Sequence, residues 1–154
     1  MKINIVRKAR KFAKAKHKGQ LDDCGKNYFK VHVEGVVKVL RLVTKDKNIL
    51  AAAYLHDTLE DTDTSFTELH KEFGMIITKL VWEVTHEGKK DTYGKYFPRL
   101  KSRDAILIKF ADRLHNLSRM DVWDEKRVAQ YLRKSKFWKD GSDLWRKLTS
   151  VIST

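Results

Sequence analysis

Four residues sit where ordinary core packing does not want them. His56 and Asp57 follow directly on the apolar run Ile49-Leu50-Ala51-Ala52-Ala53-Tyr54-Leu55. Asp112 interrupts Ile106-Leu107-Ile108-Lys109-Phe110-Ala111, after which Leu114 resumes the apolar stripe. His32 opens the helix that carries Val33, Val36 and Val37. Burying an unpaired charge is expensive, so polar groups emerging from buried helices need partners. Taken singly, each has a commonplace account: a core histidine is often only hydrogen-bonded, and Asp112 can pair with Arg113 or Arg103. Together, two imidazoles and two carboxylates from three helices can enclose a divalent ion and leave positions open for water and substrate. Mixed nitrogen and oxygen ligation suits Mn, Fe or Zn, and Mg less well.

A second carboxylate pair lies just beyond. Glu60 is four residues after His56 and Asp61 four after Asp57, so each shares a helix face with its predecessor, one turn on. There they can position a water or move a proton; the alternative is that they merely end an acidic helix. Asn116, four residues after Asp112, falls on the face expected of a substrate or outer-sphere contact. Lys109 faces either the site or solvent, and Arg113, one position round the helix, can brace the Glu-Asp turn.

These groups need rigid elements behind them. Ile5, Ala9, Phe12 and Ala13 recur at helical spacing, as do Val33, Val36, Val37 and Leu40. The run 49–55, apolar all round, reads as a central buried helix. Ser65-Phe66-Thr67-Glu68 resembles a capping box that opens a short helix ending at Gly74. Met75 to Glu87 and Arg103 to Met120 are further helices; Asp124 can cap one through Trp138, and Ser142 or Asp143 another to Ile152. Most of the seven glycines punctuate such segments, and only Gly35 falls inside a periodic run. No window alternates with period two. The expectation is an all-α fold of about seven or eight helices, one domain over residues 1–154.

Composition narrows the class without choosing the function. Lys plus Arg number 33 against 20 Asp plus Glu, a formal charge of +13, with 42% hydrophobic residues. That is a globular composition with a basic excess, which favours an anionic partner. The single cysteine, Cys24, excludes an intrachain disulfide and a cysteine-cluster zinc site. No apolar run approaches the roughly 18 residues that span a bilayer, and the N-terminus lacks the apolar core of a secretory signal. A cytoplasmic protein is expected.

The strings around these residues are more specific than a His-Asp pair. His32, Leu55-His56-Asp57-Thr58-Leu59-Glu60-Asp61-Thr62-Asp63 and Lys109-Phe110-Ala111-Asp112-Arg113-Leu114-His115-Asn116-Leu117 resemble the HD-domain metallophosphohydrolases. The likeness is greatest to the hydrolase domain of RelA/SpoT-type enzymes and to stand-alone small alarmone hydrolases. It extends over residues 5–120, including Ala15 to Gln20, Phe66 to Phe73 and Glu83-Val84-Thr85. The resemblance implies an HD-domain helical fold with one Mn²⁺ held by His32, His56, Asp57 and Asp112. It also implies hydrolysis of the 3′-diphosphate of (p)ppGpp to GDP or GTP and pyrophosphate, with Glu60 and Asp61 in catalysis.

The chain departs from that pattern in the loop before His32. There the family usually carries an Arg-Lys pair that contacts the nucleotide. Registers counted from His17 and from His32 differ by one residue, yet either places Asp22, Asp23 or Cys24 at the pair. Beside a polyphosphate, at about 4 Å and an effective dielectric constant near 20, such a sign reversal is worth several kcal/mol. Val33 stands where a proline usually follows the first histidine, and Ser118-Arg119 replaces the usual Arg-Thr step. Arg119, Lys26 or Lys30 can supply a displaced cation. Three readings follow: a small alarmone hydrolase with a rearranged pocket; the same chemistry on another nucleotide or on the pyrophosphorylated 3′ end of tRNA; and a non-enzymatic basic module that binds nucleic acid. Arg7, Lys8, Lys11 and Lys18 form a basic stripe that suits the RNA readings or is simply solvated. Trp123, Trp138 and Trp145 suit a core or an oligomer contact better than base stacking.

Overall fold

A computed structural model of the chain describes residues 3–85 and 100–117. In chain order they form α1 (Ile5–Lys16), a π turn (Phe29–Val33), α2 (Glu34–Arg41), α3 (Lys47–Leu55), α4 (Thr58–Asp61), α5 (Phe66–Val84) and α6 (Arg103–Leu117). No strand occurs among the described residues; one isolated bridge joins Leu21 to Asn27. The all-α class is as expected. The helices anticipated after Asp124 and Ser142 lie outside the described residues.

Side-chain caps set the helix starts. The side chain of Asn4 accepts the N–H of Arg7 at 3.1 Å, and Asp46 accepts those of Asn48 and Ile49 at 2.8 and 3.1 Å. Ser65 accepts the N–H of Glu68 at 3.0 Å, as the Ser-Phe-Thr-Glu string predicts. Gly74, with φ 82° and ψ 172°, breaks α5 into two rods; this left-handed geometry is open to glycine and costly for other residues.

α3 is the axis of the fold. All seven residues from Ile49 to Leu55 are buried, with α1, α2, α5 and α6 packed around them. Ala9 and Ala13 of α1 and Ala51, Ala52 and Ala53 of α3 are fully buried, and their small side chains let the helices approach closely. α1 is also tied down by charge. Lys8 pairs with Glu72, Arg10 with Glu34, and Lys16 with Asp63 and Glu68. The stripe of Arg7, Lys8, Lys11 and Lys18 is therefore divided: Lys8 holds α5, while Arg7, Lys11 and Lys18 are exposed.

The start of α6, which carries Asp112, rests on one buried carboxylate. Glu83 accepts the N–H groups of Lys101 and Ser102 at 2.8 and 2.6 Å and the Ser102 hydroxyl at 2.9 Å. Glu83→Ala strands these donors. It is expected to cost about 1.5–3 kcal/mol, the range for losing a hydrogen bond to a charged group, as a lower urea midpoint with an unchanged slope.

Candidate metal centre

Two local departures from regular α-helix lie at the polar quartet. α3 ends at His56, and Asp57, with φ −103° and ψ 1°, turns the backbone into α4. His32 lies in the π turn rather than opening a regular helix, and α2 follows directly. π turns are rare and concentrate at functional sites. Asp112 comes from the middle of α6.

His32, His56, Asp57 and Asp112 are all buried, and each presents one donor atom within 4.8 Å of the others. His32 Nε2 is 2.9 Å from Asp112 Oδ1 and 3.5 Å from Asp57 Oδ2. His56 Nε2 is 3.0 Å from Asp57 Oδ2 and 3.5 Å from Asp112 Oδ1. Around an ion with bonds of about 2.1 Å, octahedral neighbours are about 3.0 Å apart and tetrahedral ones about 3.4 Å. The four His–Asp spacings, 2.9 to 3.5 Å, lie close to these values. His56 donates its Nδ1–H to the Ala53 carbonyl at 2.6 Å, leaving the lone pair on Nε2. That Nε2 is fully buried and makes no aligned hydrogen bond. Such an atom is ready for an ion.

Electrostatics describe what the ion-free site holds instead. Burial works against a charged His32 and a charged His56, but the two carboxylates outweigh it and raise both imidazoles, His56 strongly. Burial pushes Asp57 and Asp112 up. The histidines, and for Asp112 first of all Lys109, overcome this and hold both carboxyls well below the usual range. Without an ion, the carboxylates favour the charged form of the imidazoles, and the imidazoles and Lys109 favour the charged form of the carboxylates.

This has a measurable consequence. The imidazoles stabilise the ion-free fold fully below their ordinary 6.5 and lose that contribution as pH rises through their raised values. The carboxylates contribute above their ordinary 3.8 and lose it as pH falls through their lowered values. A bound ion must displace the imidazole protons. As pH rises above the ordinary imidazole value of 6.5 the ion-free melting temperature is expected to fall, while the increment produced by a divalent ion grows. Calorimetry with and without chelator checks both slopes.

Other side chains surround the quartet. The Tyr28 hydroxyl donates to Asp57 Oδ2, and burial followed by the field of Asp57 keeps its proton on well above the usual tyrosine range. Lys109 is buried, with Nζ 3.4 Å from both Asp112 Oδ2 and the Val84 carbonyl, so its choice between site and solvent is resolved toward the site. Burial lowers its affinity for a proton, against the pull of Asp112. Asn116 reaches Asp112 Oδ1 at 3.5 Å. His115 Nδ1 lies 3.0 Å from His32 Nδ1.

Glu60 and Asp61 are half-buried on α4, directly after the ligand turn. Glu60 acts electrostatically on Lys109, and Asp61 on Tyr28, so both are felt inside the site. Gln20 donates to Asp61 Oδ2 at 3.4 Å, while its own oxygen is 2.7 Å from Nδ1 of the buried His17. Tyr28, Gln20 and His115 do not stand out in the sequence as site residues. The signal for two of them is spacing: Tyr28 lies one helical turn before His32, and His115 one turn after Asp112.

Lys26 is exposed in a hairpin whose geometry explains the acidic loop. Asp22 Oδ1 accepts the N–H groups of Cys24 and Lys26, each at 2.8 Å, folding the chain back on itself. Asp22 is thus occupied as a turn-forming side chain, and Asp23 and Cys24 are exposed. Arg119 lies outside the described residues.

A family model described as HD domain matches residues 9–96. The MESH1 guanosine-3′,5′-bis(diphosphate) 3′-pyrophosphohydrolase of Xenopus tropicalis is 34% identical over 143 residues, 84% of this chain and 79% of the relative. The human MESH1 protein is 36% identical over 141 residues, covering 78% and 74%. A guanosine-3′,5′-bis(diphosphate) 3′-pyrophosphohydrolase of Aquifex aeolicus is 36% identical over 138 residues, but this chain spans only 20% of its length. A solved structure of a metazoan ortholog of SpoT that hydrolyses ppGpp superposes with a TM-score of 0.78 at 29% identity, over 99% of this chain and 96% of that one. The chain belongs to the HD-domain family, and within it to the group of MESH1 and its SpoT-like relatives.

Proposed function

We propose that the chain is a metal-dependent phosphohydrolase that removes the 3′-diphosphate of guanosine nucleotides, converting (p)ppGpp to GDP or GTP and pyrophosphate. The observation that carries this reading is the buried quartet His32, His56, Asp57 and Asp112, with Glu60-Asp61 one turn beyond it. His32, His56, Asp57 and Asp112 would hold the ion, with Mn²⁺ as the first choice and Fe, Zn or Mg as alternatives for such a donor set. A divalent ion there supplies Lewis-acid stabilisation of charge on a phosphoryl oxygen and a water of lowered pKa.

The chain's own residues supply the rest. Glu60, the nearer to the water in this reading, accepts its proton as the oxygen attacks phosphorus, and the bond from phosphorus to the 3′-oxygen breaks. Asp61, steadied by Gln20, serves the proton that returns to the leaving 3′-oxygen. Tyr28 and Lys109 keep Asp57 and Asp112 in place. Asn116, Arg119 and Lys26 are the substrate contacts of this proposal.

A second reading keeps the chemistry and changes the substrate. The hairpin commits Asp22 to its own turn and leaves acidic Asp23 exposed where cations are expected, which favours another 3′-phosphorylated nucleotide or the pyrophosphorylated 3′ end of tRNA. No helix among the described residues is long and apolar enough to cross a membrane. A Mn²⁺-supplemented screen of ppGpp, pppGpp, other 3′-phosphorylated nucleotides and pyrophosphorylated tRNA decides between the two. Pyrophosphate release fastest from ppGpp supports the first. Faster turnover of another member replaces it, and no turnover by the metal-loaded protein leaves the binding-module reading.

A further inference from the structure

The two candidate ligand histidines are oriented by different means. His56 donates its Nδ1–H to the backbone carbonyl of Ala53, a partner that no substitution on another helix can take away. Among the described residues, His32 has a side chain behind it at that atom: Nδ1 of His115, 3.0 Å away on α6. An imidazole that ligates through Nε2 carries its proton on Nδ1, and a hydrogen bond at Nδ1 sets both the tautomer and the ring direction. His115 Nδ1 can accept that proton only when its own ring is protonated at Nε2. The two rings stand with centroids 5.0 Å apart at an interplanar angle of 62°.

The neighbouring helix is shaped around this ring. Gly35 sits on α2, three residues after His32, at a helix interior position that disfavours glycine relative to alanine. A Cβ built there would overlap Nε2 of His115 and lie 2.5 Å from its Cδ2. Any side chain at position 35 must therefore drive the imidazole out of its seat. This accounts for the one glycine that falls inside a periodic run.

We propose that His115 is a positioning residue for the metal centre: its Nδ1 accepts the Nδ1–H of His32 and aims Nε2 of that ligand at the ion, and Gly35 provides the space its ring occupies. The inference rests on the reading of the quartet as a metal site. It does not depend on which phosphate ester is cleaved.

The test is Mn²⁺ affinity of the purified full chain, stripped with chelator and titrated by electron paramagnetic resonance of the free ion. His115→Leu and His115→Asn have the same branched shape, but only asparagine places an acceptor where Nδ1 stood. His115→Leu is expected to weaken Mn²⁺ binding by about 10–100-fold, the range for losing an outer-sphere partner, with His115→Asn close to the parent. Gly35→Ala is expected to weaken binding alone, and to add nothing in a His115→Ala background. Melting curves of the ion-free variants identify any that fail to fold. Parental affinity in folded His115→Leu overturns the proposal, as does equal loss in His115→Asn, or a Gly35→Ala effect that persists without the ring. A parent chain that binds no Mn²⁺ overturns it together with the metal reading. A chain that behaves as expected here yet leaves ppGpp intact overturns only the hydrolase reading.

Discussion

Asp57→Ala is expected to lose metal and turnover together. The Asp57 carboxylate is the hub of the quartet: its Oδ2 lies 3.0 Å from His56 Nε2 and 3.5 Å from His32 Nε2, and it also accepts the Tyr28 hydroxyl. Removing it deletes one ligand and half of the negative charge that holds a cation in a buried site. The loss in Mn²⁺ affinity is expected to exceed the 10–100-fold that removal of an outer-sphere partner costs. Turnover then loses the ion's stabilisation of phosphoryl charge. Several kcal/mol, at about 1.4 kcal/mol per tenfold, is about four powers of ten in kcat/KM. The substitution also leaves two buried imidazoles with one carboxylate, and breaking a buried pair costs about 3–5 kcal/mol. Asp57→Asn, which keeps the shape and removes the charge, separates misfolding from loss of the ion. Mn²⁺ titration, circular dichroism and pyrophosphate release are measured on both variants. Parental Mn²⁺ affinity in a folded Asp57→Asn removes Asp57 from the ligand set.

Features that depend on a few neighbouring residues are legible in the amino-acid sequence. α3 is apolar all round because it is surrounded on every side, so its burial is written into Ile49 to Leu55. The Ser65 cap and the break at Gly74 are local backbone chemistry, and both lie where the residue types put them. The four polar residues stand out for the same reason that they converge: each costs too much inside a core without partners.

What the sequence hides depends on contacts between distant segments. Lys109 looks equally suited to solvent and site until Val84 and Asp112 are seen to receive it. Gly35 reads as an ordinary weak point in a helix until the ring of His115, eighty residues on, is found against it. The π turn at His32 has no compositional signature. Asp22 is informative in another way: judged by charge it opposes a polyphosphate, whereas in the fold its oxygen is satisfied by two backbone N–H groups. Charge at a sequence position is a guide to recognition only when the side chain is not already used by its own loop.

Glu60→Gln is the complementary experiment, expected to keep the metal and suppress turnover. Glu60 belongs to α4, outside the donor quartet, so its amide leaves His32, His56, Asp57 and Asp112 unchanged. The half-buried side chain has the same length as glutamine, and little stability is at stake. What disappears is a group able to take a proton from the attacking water. General-base assistance contributes about 10²–10⁴-fold, and that is the expected fall in kcat, with Mn²⁺ affinity unchanged. The split distinguishes the role from a merely structural one, because a misplaced ligand would weaken the metal as well. Asp61→Asn is expected to act in the same direction. Its partner Gln20→Ala lowers kcat less, because the carboxylate remains and only its orientation is released. Full turnover in Glu60→Gln would assign the proton transfer to Asp61 alone. Full turnover in both single variants would remove the acidic turn from the chemistry and leave the ion as the whole of the catalytic apparatus.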